Sequence, residues 1–324
     1  MSSASRSKSP FDPPSTLDLL LTQPITTLIR LLDYTFSALQ SSPKPDSPGI
    51  RVVCISDTHT LKASYIPPGD LLIHAGDLGN EGTPAELQAQ IDWLDSLPHE
   101  HKIVIAGNHD TFLDPRSRPT LSPTDQKGSL DWKSLRYLQH SSTTLHFHNK
   151  HRQLKIYGAP QIPACGGANF AFQYAREDDA WSETVPTDTD VLVTHTPPKY
   201  HLDLPAALGC KYLLREVWRV KPLLHVFGHV HAGKTGLRGG RETVWWGRGQ
   251  AVMERALTRS DGVVRAVLDL RCWVDVAKVV WFGVGDVLWD RVWGGYCERT
   301  VMVNAALMFN NSGELGNEPQ VVDI

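Results

Sequence analysis

Asp, Asn and His recur at the ends of short apolar runs along this 324-residue chain. "RVVCIS" is followed at once by Asp57 and His59, "DLLIHAG" by Asp77, and "KIVIAG" by Asn108, His109 and Asp110. "DVLVT" delivers His195, and "LLHVFG" delivers His229 and His231 with one residue between them. Carboxylate, amide and imidazole are the side chains a divalent ion takes when it binds oxygen and nitrogen together. Asp57, His59, Asp77, Asn108, His109, His195, His229 and His231 are more than one ion requires. Two ions about 3.5–4 Å apart would need a bridging carboxylate and open positions for water and substrate. Asp57 and Asp77 would be the only charged ligands, leaving a surplus of about two positive charges that suits a phosphate ester better than a neutral amide. HxH or DTH alone is weak. The joint order is specific, because each piece follows an apolar run with a glycine at 76, 107 or 228 nearby.

Those residues must be carried by elements that end where the chemistry begins. The runs at 51–56, 70–75, 102–106, 153–158, 190–194 and 223–228 are too short for helices and bounded by turn residues, so they read as buried strands. "TPAELQAQIDWLDSL" (83–97) reads as a helix with Thr83 as cap, Pro84 in the first turn, Glu86 completing a capping box, and Leu87, Ile91 and Leu94 buried. Strands alternating with helices predict an α/β layered fold, whose sites form at the carboxyl ends of the strands. "RTVMVNAAL" and "EPQVVDI" read as a closing pair of strands.

The remaining histidines divide by position. His74 and His225 fall within strands and read as core residues, whereas His99, His101, His140, His146, His148 and His151 fall in loops and read as solvated. No GxSxG elbow is present, so a covalent serine mechanism has no support.

Composition is that of a globular protein, 41% hydrophobic and 21% charged, with a formal net charge of −3. That balance argues against nucleic acid as a general partner. Five scattered cysteines without a CxxC predict reduced thiols and a cytoplasmic setting. Residues 1–15, Ser-rich and basic, read as disordered, and 16–50 as an amphipathic helix followed by the Pro/Ser-rich linker "QSSPKPDSPG". The main domain is then 51–324, with a Trp-rich insertion at about 239–298. Polar residues interrupt the apolar positions of "CWVDVAKVVWFGVGDVLWDRVWGG", which predicts amphipathic helices packed on the domain; peripheral membrane contact is the less favoured reading.

The order "DTH…GD…GNHD…H…GHVH" resembles the calcineurin-like metallophosphoesterase superfamily, with motifs from about Asp57 to His231. More narrowly, "AGNHDTFLD", "KIYGAP", "DVLVTHTPP", "LGCKYL" and "HVFGHVHAG" resemble the metallophosphoesterase-domain proteins of animal brain and their fungal relatives. The resemblance implies a two-sheet α/β sandwich with helices outside and a dinuclear metal site at the strand ends. It implies that Asp57, His59 and His231 hold one ion, that Asn108, His195 and His229 hold the other, and that Asp77 bridges them. His109 would sit beside the substrate phosphate and protonate or stabilise the leaving oxygen, with Asp110 fixing its orientation. A hydroxide shared by the two ions would attack phosphorus in line. The donor set is compatible with Mn²⁺, Fe or Zn²⁺. The implied activity is hydrolysis of a small phosphodiester, with cyclic nucleotides as the class. A phosphomonoesterase or nuclease on the same site, and a low-activity scaffold that binds protein partners, are the alternatives.

Overall fold

The β-branched run Arg51–Ile55 forms β1 and pairs in parallel with β2 (Leu71–Ala75), which pairs in parallel with β3 (His101–Ile105). β4 (Arg136–Tyr137) extends this sheet in parallel beyond β3, and β13 (Gln320–Asp323) closes its other side antiparallel to β1. Every residue of β2 is buried, so "LLIHA" is apolar without alternation because both faces are covered. These strands belong to a computed structural model that describes residues 15–41, 47–204, 206–234, 239–258, 263–295, 298–310 and 312–324.

The second sheet runs in the order β11 (Arg241–Trp245), β12 (Arg299–Asn304), β10 (Leu224–Phe227), β9 (Val191–Thr194), β6 (Arg152–Ala159) and β5 (Ser141–Phe147). A two-stranded pair, β7 (Ile162–Pro163) and β8 (Gln173–Tyr174), stands apart. β2 lies against β9 and β10, and β3 against β6, so the two large sheets form the two layers of an α/β sandwich. Helix α3 (Pro84–Asp95) covers the first sheet, with Leu87, Ile91 and Leu94 packed among Val53, Leu72 and Val104. Its parallel strands all end toward one edge of the sandwich, where the Asp, Asn and His residues follow.

The described residues divide into two compact units, one within residues 45–242 and 302–324, the other within residues 13–44 and 243–301. In the second, α2 (Pro24–Leu39), α5 (Arg248–Leu257) and α7 (Leu270–Arg291) pack on one another. The short helices α1 (Thr16–Thr22) and α6 (Val263–Leu268) lie against α2 and α7 respectively. The N-terminal helix therefore shares a core with the Trp-rich segment, a pairing of chain regions more than 200 positions apart that no local pattern announces. In the first unit, helix α4 (Lys211–Val220) buries Leu213, Leu214 and Val217.

Several expectations need correction. The Trp-rich insertion at 239–298 is not made of helices alone, because Arg241–Trp245 is strand β11 and pairs with β12. "RTVMVNAAL" and "EPQVVDI" do not pair with each other, since β12 joins the second sheet and β13 the first. Glu86 does not complete the capping box: Thr83 Oγ1 accepts from Glu86 N, but the Glu86 carboxylate turns to the backbone amides of Asn80, Glu81 and Gly82. His99 is buried and donates to the Pro67 carbonyl at 3.0 Å, whereas His140, His146, His148 and His151 are exposed. His74 and His225 are fully buried, bonded to Thr58 and Thr194. Of residues 1–15, expected to be disordered, 1–14 lie outside the described residues, whereas Ser15 caps α1 with its Oγ accepting from the Asp18 amide at 3.1 Å. Among the described residues, Cys54, Cys165, Cys210 and Cys272 form no disulfide.

Candidate metal centre

The turns after β1, β2, β3, β9 and β10 bring Asp57, His59, Asp77, Asn108, His195, His229 and His231 to one place. Three groups of donors lie within 4.8 Å of one another: Asp57 with His59 and His231, Asp77 with His195 and His229, and His59 with Asp77 and His109. Asp77 belongs to two of them. Asn108 joins through its Oδ1, 3.0 Å from His195 Nε2.

The backbone is bent to make this possible. Asp57, His59, Asp77 and His229 have φ of 53°, 46°, 56° and 66°, in the left-handed region that side chains other than glycine seldom occupy. Each such residue costs on the order of 1 kcal/mol and persists only where its surroundings over-determine it. Here the Asp57 amide donates to the Gly76 carbonyl at 2.9 Å, and the amides of Thr58 and His59 both reach the Asp77 carbonyl. Gly228 is required by close approach, because a Cβ there would collide with Asp57 Oδ2 and Ser56 Oγ.

Backbone carbonyls aim the imidazoles. His195 Nδ1 donates to the Ala75 carbonyl at 2.9 Å, and His231 Nδ1 to the Asn310 carbonyl at 2.6 Å. Each bond leaves Nε2 pointing at a carboxylate: His195 Nε2 is 3.3 Å from Asp77 Oδ2, and His231 Nε2 is 3.1 Å from Asp57 Oδ1. A ring held by one nitrogen and directed by the other is the arrangement metal-binding histidines use.

The electrostatics suit positive charge. Asp57 and Asp77 are 0% and 1% exposed, and among the described residues their ion-pair partners are histidines, not Lys or Arg. Burial opposes ionisation of Asp77, but the charge and hydrogen bond of His195 outweigh it and hold it well below the ordinary range. His231 does the same for Asp57. Burial likewise opposes the protonated form of His195, yet Asp77 lifts it to about 9. His229 goes the other way, lowered to about 3 by burial and by the charge of His195, so its ring is a neutral donor. Two buried carboxylates, a carbonyl oxygen and imidazole lone pairs fit a pair of divalent cations.

His109 stands at the rim. Its amide donates to Asp77 Oδ1 at 2.8 Å, its Nδ1 donates to the Asn80 carbonyl at 2.8 Å, and its ring meets His59 edge-on with centroids 4.8 Å apart. Glu86, at the start of α3, holds the 80–82 loop through three amides and so places the carbonyl that orients His109. Asp110 does not orient the His109 ring, contrary to the role the resemblance implied. Its buried carboxylate accepts from the amides of Asp77, Leu78, Gly79 and Gly107 at 2.7–3.1 Å. It is a clip for the Asp77 turn. Burial and the neighbouring Asp77 charge raise its pKa to about 7.

A cavity of about 280 Å³ opens over these residues, lined on the polar side by Asp77, Asn108, His109, His229 and His231. Phe170, Leu204, Val230 and Ala232 form its apolar side, and Phe170 sits 4.8 Å from His109, centroid to centroid. Phe170, Leu204 and the orienting carbonyls of Ala75, Asn80 and Asn310 were not singled out by sequence. A carbonyl has no side-chain signature, and the apolar residues lie outside the strands that carried the pattern.

A calcineurin-like phosphoesterase family model matches residues 50–233. Probable rhamnogalacturonate lyase C of Emericella nidulans is 45% identical over 259 residues, which is 79% of this chain but 23% of that protein. Metallophosphoesterase domain-containing protein 1 of Homo sapiens is 39% identical over 215 residues, covering 59% of this chain and 63% of its own length. UPF0046 protein K07C11.7 of Caenorhabditis elegans is 34% identical over 214 residues, covering 63% and 71%. The chain thus spans under two thirds of the first two relatives. Its own strand ends and donor residues lie inside the matched stretch, which takes in more than half of the chain, and this protein belongs to the calcineurin-like phosphoesterase family.

Proposed function

We propose that this chain hydrolyses a small phosphodiester at the strand-end site, with cyclic nucleotides as the substrate class. Family membership supports metal-dependent phosphoesterase activity. The observation that carries the finer reading is the two-sided cavity: the charged cluster ends at a wall of Phe170, Leu204 and Val230. A diester presents a phosphoryl group with an organic substituent on each side, and an apolar wall beside the donors suits one of them.

Asp57, His59 and His231 would hold one cation, Asn108, His195 and His229 the other, with Asp77 between them. Divalent cations bound there would make water nucleophilic near neutral pH and neutralise charge on phosphoryl oxygens. His109, at the rim of the cavity, would act on the leaving oxygen. With Nδ1–H donated to Asn80, its Nε2 is the nitrogen that can hold or give a proton. Asp110 and Glu86 keep the turns at 77–79 and 80–82 in place while charge moves. The lyase name of the fungal relative belongs to a protein of which this chain spans 23%, and the family match falls on the stretch that holds the cluster.

The test is hydrolysis of bis(p-nitrophenyl) phosphate, p-nitrophenyl phosphate and cyclic AMP with Mn²⁺, Fe²⁺ or Zn²⁺, alongside elemental analysis of the purified protein. Diester turnover that exceeds monoester turnover supports the proposal. A faster monoester reaction points to a phosphomonoesterase, and no hydrolysis with no bound metal sinks the enzyme reading.

A further inference from the structure

We propose that the helical unit built from residues 13–44 and 243–301 docks on an anionic lipid surface, with α7 lying flat in the headgroup region. The inference is independent of the phosphoesterase reading. Among the described residues, every exposed large hydrophobic side chain except Tyr65, Leu223 and Phe309 belongs to this unit. Soluble surfaces scatter such residues singly, so a concentration in one unit marks a binding surface.

Helix α7 shows how the surface is built. Leu270, Val274, Trp281, Val284 and Leu288 recur at helical spacing and are exposed, Trp281 by 76%. The opposite side buries Cys272, Asp275, Val279 and Gly283. Trp281 stands at the crest of the exposed stripe. Trp273 and Trp289, eight residues to either side, are each rotated from it by about 80° and flank it. Trp273 Nε1 donates to the Val267 carbonyl at 2.9 Å, which joins the exposed Val267 and Leu268 to the same end of the helix.

The charges select the occupant. The acids of α7 turn inward: Asp275 is buried, Asp286 is half-buried, and Asp290 accepts from the Ser41 amide at 2.7 Å. The exposed charged residues of the helix are Arg271, Lys278 and Arg291, all basic. Tryptophans on the apolar face with basic residues at its edges match the boundary of a negatively charged bilayer, where indoles concentrate and long basic side chains reach phosphates. A second copy matches less well, since a two-fold contact through this face sets bases against bases. Spanning is not the mode, because among the described residues no helix is long and apolar enough to cross a membrane. At 22 residues α7 is roughly 33 Å long, enough to lie along the surface.

The test is sedimentation of the full-length protein with vesicles of phosphatidylcholine alone or with phosphatidylserine added, together with light scattering without lipid. The expected result is partition onto the phosphatidylserine vesicles. Trp281→Glu should weaken it at least tenfold, and Arg271→Glu with Lys278→Glu should remove the preference for phosphatidylserine, with circular-dichroism melting confirming that both variants fold. Absence of the folded wild type from vesicle pellets overturns the proposal, as does partition that Trp281→Glu leaves unchanged. A lipid-free dimer that Trp281→Glu splits, without vesicle binding, assigns the face to a second copy instead.

Discussion

The strand-end cluster and the outer side of α7 depart from ordinary burial in opposite senses. In the first, the Asp57 and Asp77 carboxylates are buried beside imidazoles and backbone amides, with no Lys or Arg paired to them among the described residues. In the second, tryptophan and leucine stand in water while aspartates turn inward. Each arrangement is costly for a chain alone, and each cost would be relieved by a partner of definite chemistry, cations for one and, as proposed, lipid for the other. The pair of buried Glu216 and exposed Arg219 is the useful contrast. The Glu216 carboxylate accepts from Arg219 and from the amides of Glu183 and Val185, so its charge is balanced within the protein and asks for nothing.

The comparison breaks most readily at Asp77. Asp77→Asn removes the donor common to two groups and should cut metal-dependent hydrolysis about 10³-fold or more, with metal content falling in parallel. Full activity in that variant would mean the buried carboxylates do not serve cations. His109→Ala sharpens the same site: turnover should fall about 10²-fold while elemental analysis still finds the metals. Loss of metal together with activity would instead make His109 a ligand, as its place beside His59 and Asp77 permits. Next in size is the tenfold weakening of vesicle partition in Trp281→Glu, which should leave hydrolysis of the aryl diester unchanged.

The smallest effect concerns the control. Glu216→Gln should lower stability by about 2 kcal/mol at pH 7, the scale of a hydrogen-bonded charge. Burial would raise the Glu216 pKa, but Arg219 and the two amides hold it below 4.5. Its contribution is therefore present above the unfolded value and lost as pH falls through the folded one. Denaturant melts of wild type and variant should converge in acid, and adding a chelator should leave their difference at pH 7 unaltered. A chelator-sensitive difference would tie Glu216 to the metal centre.

The donors of the site were legible because each sits at the end of a strand. Apolar runs of β-branched residues mark where a parallel sheet stops, and the polar residues just beyond them, from Asp57 to His231, must gather at that edge. The helix at 84–95 was legible from its cap and buried stripe. What failed were partnerships. Glu86 and Asp110 have the residue types of a capping box and a catalytic pair, but their carboxylates go to backbone amides.

By itself the sequence determined which residues could serve a divalent cation, since donor chemistry and strand ends are local properties. It also showed that the stretch 272–295 would be amphipathic and helical, because periodicity is local too, and the helix found there runs from Leu270 to Arg291. Only the tertiary structure decided which face of that helix is left uncovered, which nitrogen of His195 and His231 points inward, and that α2 shares a core with α7. Those outcomes depend on contacts between residues far apart in the chain and on backbone carbonyls, whose positions follow from the folded path and are carried by no side chain.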